Sequence, residues 1–149
     1  MRGPEALARN RRMKENMDRE GLPYNPERRM SYNSRLAQEL EKWAEQRGVP
    51  EAMQRALFQA YFVDEKNIGN VDTLVELANS VGLAGDEARD VLLSRTFKQA
   101  VDDDWRRCAA YGVNAVPTFL AGRYMMVGAH PYESLTQLVE KAASEAGST

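Results

Sequence analysis

The stretch Gly112-Val113-Asn114-Ala115-Val116-Pro117-Thr118-Phe119-Leu120-Ala121, then Gly122-Arg123, then Tyr124-Met125-Met126-Val127, decides how this chain is read. It carries the one strand signal in a sequence whose apolar residues otherwise recur at helical spacing. Two short β-prone arms flank a Gly-Arg turn, which predicts a hairpin. Both arms are apolar on both faces, so the ribbon calls for cover on each side. A two-stranded ribbon is marginal without further strands or helices against it. Pro117 enters the first arm, where a proline forfeits a ladder hydrogen bond and is tolerated only at a strand's first position or edge.

Outward from the hairpin the chain is helical. Phe97, Val101, Trp105, Cys108 and Ala109 form a stripe that stops at Gly112, and Pro131 opens a terminal helix with Leu135, Leu138, Val139 and Ala142 inward. Upstream, Leu36, Ala37, Leu40, Trp43 and Ala44 share one face over 34–47, with Glu39, Glu41, Lys42 and Glu45 placed mostly opposite. Asn33 or Ser34 can cap that helix, and Gly48 with Pro50 ends it. The segment 50–62 has a stripe widened by Phe58 and Phe62, as if buried between neighbours. Asn70 reads as the cap of a helix carrying Leu74, Leu77, Ala78 and Val81. A short helix follows over 86–93, and residues 5–20 make a charged, weakly amphipathic helix.

A chain of 149 residues is one domain's worth and buries roughly 70% of its surface on folding. With 43% hydrophobic and 28% charged residues it reads as a globule, and a net charge of −2 lacks the attraction to phosphate that nucleic-acid binding draws on. No apolar run is long enough to cross a membrane and residues 1–5 carry no secretory pattern, so no membrane partner and a cytoplasmic location are expected. One cysteine and one histidine cannot form an internal disulfide or a zinc set. No metal or cofactor is implied. Cys108 is expected as a packed, inert thiol, His130 as a loop or capping residue, and Asp102, Asp103 and Asp104 as solvated charge, since consecutive helical positions diverge.

Gly112-Val113, Val116-Pro117-Thr118-Phe119, the Gly-Arg hairpin, Gly128-Ala129, Pro131 and the terminal helix together resemble the C-terminal portion of DsbA-like thioredoxin-fold proteins. Tyr32 to Ala37, Leu57 to Phe62, Asn67-Ile68-Gly69 and Leu83 to Ala88 are similar to the helical insert of the FrnE-type branch. The resemblance implies an α/β, partial thioredoxin-like fold that is mostly helical, with a helical insert over about 1–111 and the hairpin and C-terminal helix over about 112–149. It implies a cis Val116–Pro117 bond and a backbone at Val116 that pairs with an extended peptide or protein-thiol substrate as an added strand. Val116, Pro117 and Thr118, with Asn33 and Arg35 on the helical side, are the implied substrate-binding residues.

The family activity is thiol–disulfide exchange. It requires a Cys-x-x-Cys motif at a helix N-terminus, where the dipole favours the thiolate. That motif is absent from these 149 residues, so no residue is assigned as catalytic. The expectation is a chain that starts after the family's first strand, active-site helix and second strand, and is inactive in exchange. Two alternatives stand beside it: a redox-silent module that holds extended peptides, and a relative of the glutathione-using hydroxychromene-carboxylate isomerases. An apolar sheet edge left open in this way predicts a homodimer.

Overall fold

The computed structural model describes residues 4–147. In chain order these form α1 (Pro4–Arg19), α2 (Arg35–Gln46), α3 (Pro50–Phe58) continued by a π-helical turn (Gln59–Val63), α4 (Val71–Ser80), α5 (Gly85–Ser94), α6 (Lys98–Ala110), β1 (Thr118–Ala121), β2 (Tyr124–Val127) and α7 (Tyr132–Ala146). The fold is α/β and mostly helical, as the periodicities predict. The chain divides into two compact units, Met1–Asp102 and Asp103–Thr149, with the division inside α6. The change of character read at 111–112 marks the end of that helix.

The first unit is built on α2. Its apolar stripe packs against α3, α4 and α5, and the core gathers Leu40, Trp43, Met53, Leu57, Leu74 and Leu92. Asn70 caps α4 as predicted, its side-chain oxygen accepting from the Thr73 N–H at 3.1 Å. The helix after Pro50 does not run unbroken to Phe62: regular turns end at Phe58 and a π turn follows. Phe58, at the end of the regular turns, is 57% exposed, which corrects the expectation of burial on all sides.

Helix α1 is held by a polar residue instead of its apolar ones. Leu7 and Met13 are exposed, whereas Asn10 is buried. Its side-chain N–H groups donate to the carbonyls of Pro26 (3.3 Å) and Arg28 (3.2 Å), and its oxygen accepts from the Tyr24 hydroxyl at 3.3 Å. Because Asn10→Ala leaves buried carbonyls without donors, it is expected to cost about 1–3 kcal/mol. Urea unfolding followed by circular dichroism checks this, and an unchanged midpoint would show that α1 is not pinned there.

In the second unit, β1 and β2 pair antiparallel with Phe119 opposite Met126 and Leu120 opposite Met125. Side chains alternate across the ribbon, so Phe119, Ala121, Tyr124 and Met126 share one face, and Thr118, Leu120, Met125 and Val127 the other. Helix α7 packs on the ribbon. Its Lys141 ammonium lies 4.3 Å from the Tyr124 ring centre, and Glu145 accepts from the Tyr124 hydroxyl. The face bearing Tyr124 is therefore the covered one. On the other face Leu120, Met125 and Val127 are exposed. Gly122 takes the positive φ that the turn requires, and a Cβ there would sit 3.4 Å from that of Ala142.

Three burial expectations are corrected. Val139 is exposed, and Leu138 carries the packing of α7. Phe97, just ahead of α6, and Val101 on it are buried, but Trp105 is 55% exposed and Cys108 is an exposed free thiol, not a packed one. Spacing marks which face of a helix is apolar, but burial needs an element against that face. Beyond Asp102 no side chain of α6 is buried among the described residues.

Candidate functional site

The residues singled out in the sequence fall in two places. Val116, Pro117 and Thr118 belong to the second unit, at the mouth of the hairpin. The Val116–Pro117 bond is cis. The Pro117 carbonyl accepts from the Gly128 N–H at 2.8 Å, and the Thr118 hydroxyl donates to the Ala115 carbonyl at 2.6 Å. Those bonds tie down both sides of Val116 but not Val116. It is 90% exposed, and no hydrogen bond engages its backbone among the described residues. An exposed residue with unpaired N–H and C=O beside a strand is what an added strand pairs with.

His130 lies nearby in a loop role, its Nε2 2.9 Å from the Val127 carbonyl. Pro131 precedes α7 without any side-chain cap. Among the described residues no three of His, Cys, Asp and Glu converge to hold a metal ion.

Asn33 and Arg35 belong to the first unit and are engaged locally. The Asn33 side-chain oxygen accepts from the Arg35 N–H at 2.9 Å, at the start of α2. Gly69 lies against the Asn33 backbone, where a Cβ would sit 3.1 Å from the Asn33 carbonyl oxygen. The Arg35 guanidinium bonds Asp102 and also donates to the Lys98 carbonyl at 3.4 Å. Its Nε lies 3.5 Å from Glu39.

Glu39 is the residue that sequence reasoning misplaced. Assigned mostly opposite the core, it is 1% exposed. Arg95 makes its burial tolerable: Nε donates to Oε2 at 2.9 Å and Nη2 to Oε1 at 2.6 Å, a two-pronged pairing. That hydrogen bonding holds the Glu39 carboxyl below the usual carboxylate range despite desolvation, and raises Arg95 further. Arg95 sits at positive φ where α5 ends, a position that favours glycine. The pairing gives a reason for arginine there.

Asp102 is not solvated charge. Half-buried, it takes hydrogen bonds from Arg35 and from Lys98 (3.0 Å), which hold its carboxyl low. Asp103 and Asp104 pair within their own helix with Arg106 and Arg107. Glu41, half-buried on α2, is pushed up by burial. The cluster of Arg35, Glu39, Arg95, Lys98 and Asp102 joins α2 to the start of α6 and is built for structure: Glu39 and Asp102 are each matched by bases, and no nucleophile stands among them.

The family model of the DSBA-like thioredoxin domain matches residues 4–140. This chain belongs to that family. A crystal structure of a probable DsbA oxidoreductase from Streptomyces coelicolor is 32% identical and superposes with a TM-score of 0.87 over 97% of this chain and 63% of that one. The uncharacterized protein YwbO of Bacillus subtilis is 36% identical over 77 residues, 49% of this chain and 37% of that protein. The DSBA-like chain described here thus spans less than two thirds of the length of either relative. No helix among its described residues is long and apolar enough to cross a membrane.

Proposed function

We propose that these 149 residues form the substrate-side part of a DsbA-like thiol–disulfide oxidoreductase, with Val116, Pro117 and Thr118 offering a strand-like docking edge. Support comes first from Val116, whose exposed backbone has no partner. An extended peptide laid along it would gain two main-chain hydrogen bonds without displacing any.

Exchange chemistry passes through a mixed disulfide: one thiolate attacks a disulfide sulfur and a second thiol resolves the product. The chain offers one thiol, that of Cys108. These residues therefore bind without turning over. The purified 149-residue chain is expected to show no insulin reduction or oxidative refolding activity, and turnover lost on Cys108→Ser would overturn this reading. Binding of an extended, unfolded peptide should be saturable, and Val116→Pro, which removes the N–H donor, should weaken it by roughly tenfold. Peptide affinity unchanged by Val116→Pro would remove the docking edge.

A second reading is favoured by the open ribbon face. Leu120, Met125 and Val127 present contiguous apolar surface of the sort that proteins cover. We propose a homodimer formed through this face. Light scattering should give twice the chain mass, and Leu120→Lys should return it to one, while a wild-type monomer at all concentrations would exclude the dimer.

A further inference from the structure

A cavity of about 410 Å³ opens in the first unit where the end of α1 and the link after it meet α3 and its π turn. Its walls are Met17, Leu22, Pro23, Phe58, Phe62 and Val63. One wall is held in advance: Phe62 meets Phe58 edge-on at 5.8 Å and Tyr61 at 4.8 Å, and the buried Arg28 guanidinium lies 5.0 Å from the Phe62 ring centre. Leu22 and Phe58 remain about half exposed, an apolar surface with nothing yet on it. Two polar side chains reach the cavity. That of Gln59 is occupied, its amide donating to Asp64 at 3.0 Å. Arg55 forms no ion pair among the described residues.

We infer that this cavity binds a single-chain amphiphile with one anionic head, in its simplest form a medium-chain fatty acid, with the chain between Leu22, Phe58 and Phe62 and the carboxylate at Arg55. Size and lining select this class. The volume lies in the range of small-ligand pockets and is too small for a partner helix, which is about 10–12 Å across. At roughly 30 Å³ per water-sized group, it takes about a dozen heavy atoms, the size of decanoate. Apolar walls disfavour sugars and nucleotides, whose polar groups would find no partners there. A cation would meet Arg55, whereas an anionic head would add an ion pair with that exposed guanidinium which a neutral hydrocarbon cannot make. The site involves neither a thiol nor Val116, and so stands or falls apart from the exchange reading.

Decanoate titrated into the full 149-residue chain, below its micelle concentration, should shift the methyl NMR signals of Met17, Leu22 and Val63 saturably at one site per chain. Decanol, with the same chain and no charge, should bind about two- to fivefold more weakly, the worth of one exposed ion pair. Arg55→Gln changes an exposed side chain that makes no ion pair or hydrogen bond among the described residues. It should bring decanoate to the affinity of decanol and leave decanol unaltered. Leu22→Trp, which fills the cavity, should abolish both. Absence of saturable shifts, equal binding of decanoate and decanol to the wild type, or shifts confined to Leu120, Met125 and Val127 would each overturn the inference.

Discussion

Leu40→Ala is expected to destabilise the first unit by about 2–5 kcal/mol, a loss large enough to unfold a marginal domain at moderate temperature. Leu40 is fully buried at the centre of α2, in the cluster with Trp43, Met53 and Leu74. Truncation removes its apolar contacts and leaves a void that three neighbouring helices cannot close without losing their own packing. Trp43 reports on the event, being buried in the same cluster, while Trp105 is exposed and would add a constant background. Urea unfolding followed by Trp43 emission in a Trp105→Phe background should therefore show the midpoint fall. A loss under about 1 kcal/mol would mean that α2 is not the element around which this unit is packed.

Glu39→Ala should cost about 2 kcal/mol for a different reason. The substitution removes the buried acid and leaves Arg35 and the partly exposed Arg95 without their shared counter-charge. Glu39→Gln keeps the shape and loses the charge, so the difference between the two variants separates packing from ion pairing. The pH dependence has a definite sign. Glu39 is a stronger acid folded than unfolded, chiefly because Arg95 hydrogen-bonds its ionised form. The stability it contributes is complete above the ordinary glutamate range and is lost as pH falls through the lowered folded value. Wild type and Glu39→Gln should differ most near pH 7 and converge in strong acid. A gap that stays constant between pH 7 and pH 3 would mean that the ionised carboxylate contributes nothing.

These two neighbours also mark where sequence reasoning succeeds and fails. Leu40 was assigned to the core from its spacing with Leu36, Ala37, Trp43 and Ala44. The Glu39 assignment failed because its partner lies 56 residues away on the far side of α5, and no local period carries that distance. Asp102 failed similarly: three consecutive acids look alike in the sequence, but only one of them meets Arg35. For Cys108 and Trp105 the stripe was real and burial was inferred from it, although a stripe does not supply the element that would cover it.

The candidate docking edge was legible in part. A proline at the entry of an apolar arm, the Gly-Arg turn and the terminal helix placed a hairpin over 116–127, within which Thr118–Ala121 and Tyr124–Val127 pair, and the family model confirms the lineage that those motifs suggested. That the Val116 backbone has no partner, while Pro117 and Thr118 on its C-terminal side do, depends on Gly128 and Ala115 closing around it. No spacing rule reports such a contact.

Helix positions, the cap at Asn70, the single ribbon and the lack of a second thiol were properties of the residue order, because backbone preference and apolar period act over a few residues. Which face of the ribbon α7 covers, which carboxylate the core accepts and where a cavity opens beside Arg55 were settled by long-range packing. Those outcomes depend on a charge, a ring or a void meeting its counterpart from a distant part of the chain, and only the folded arrangement brings them together.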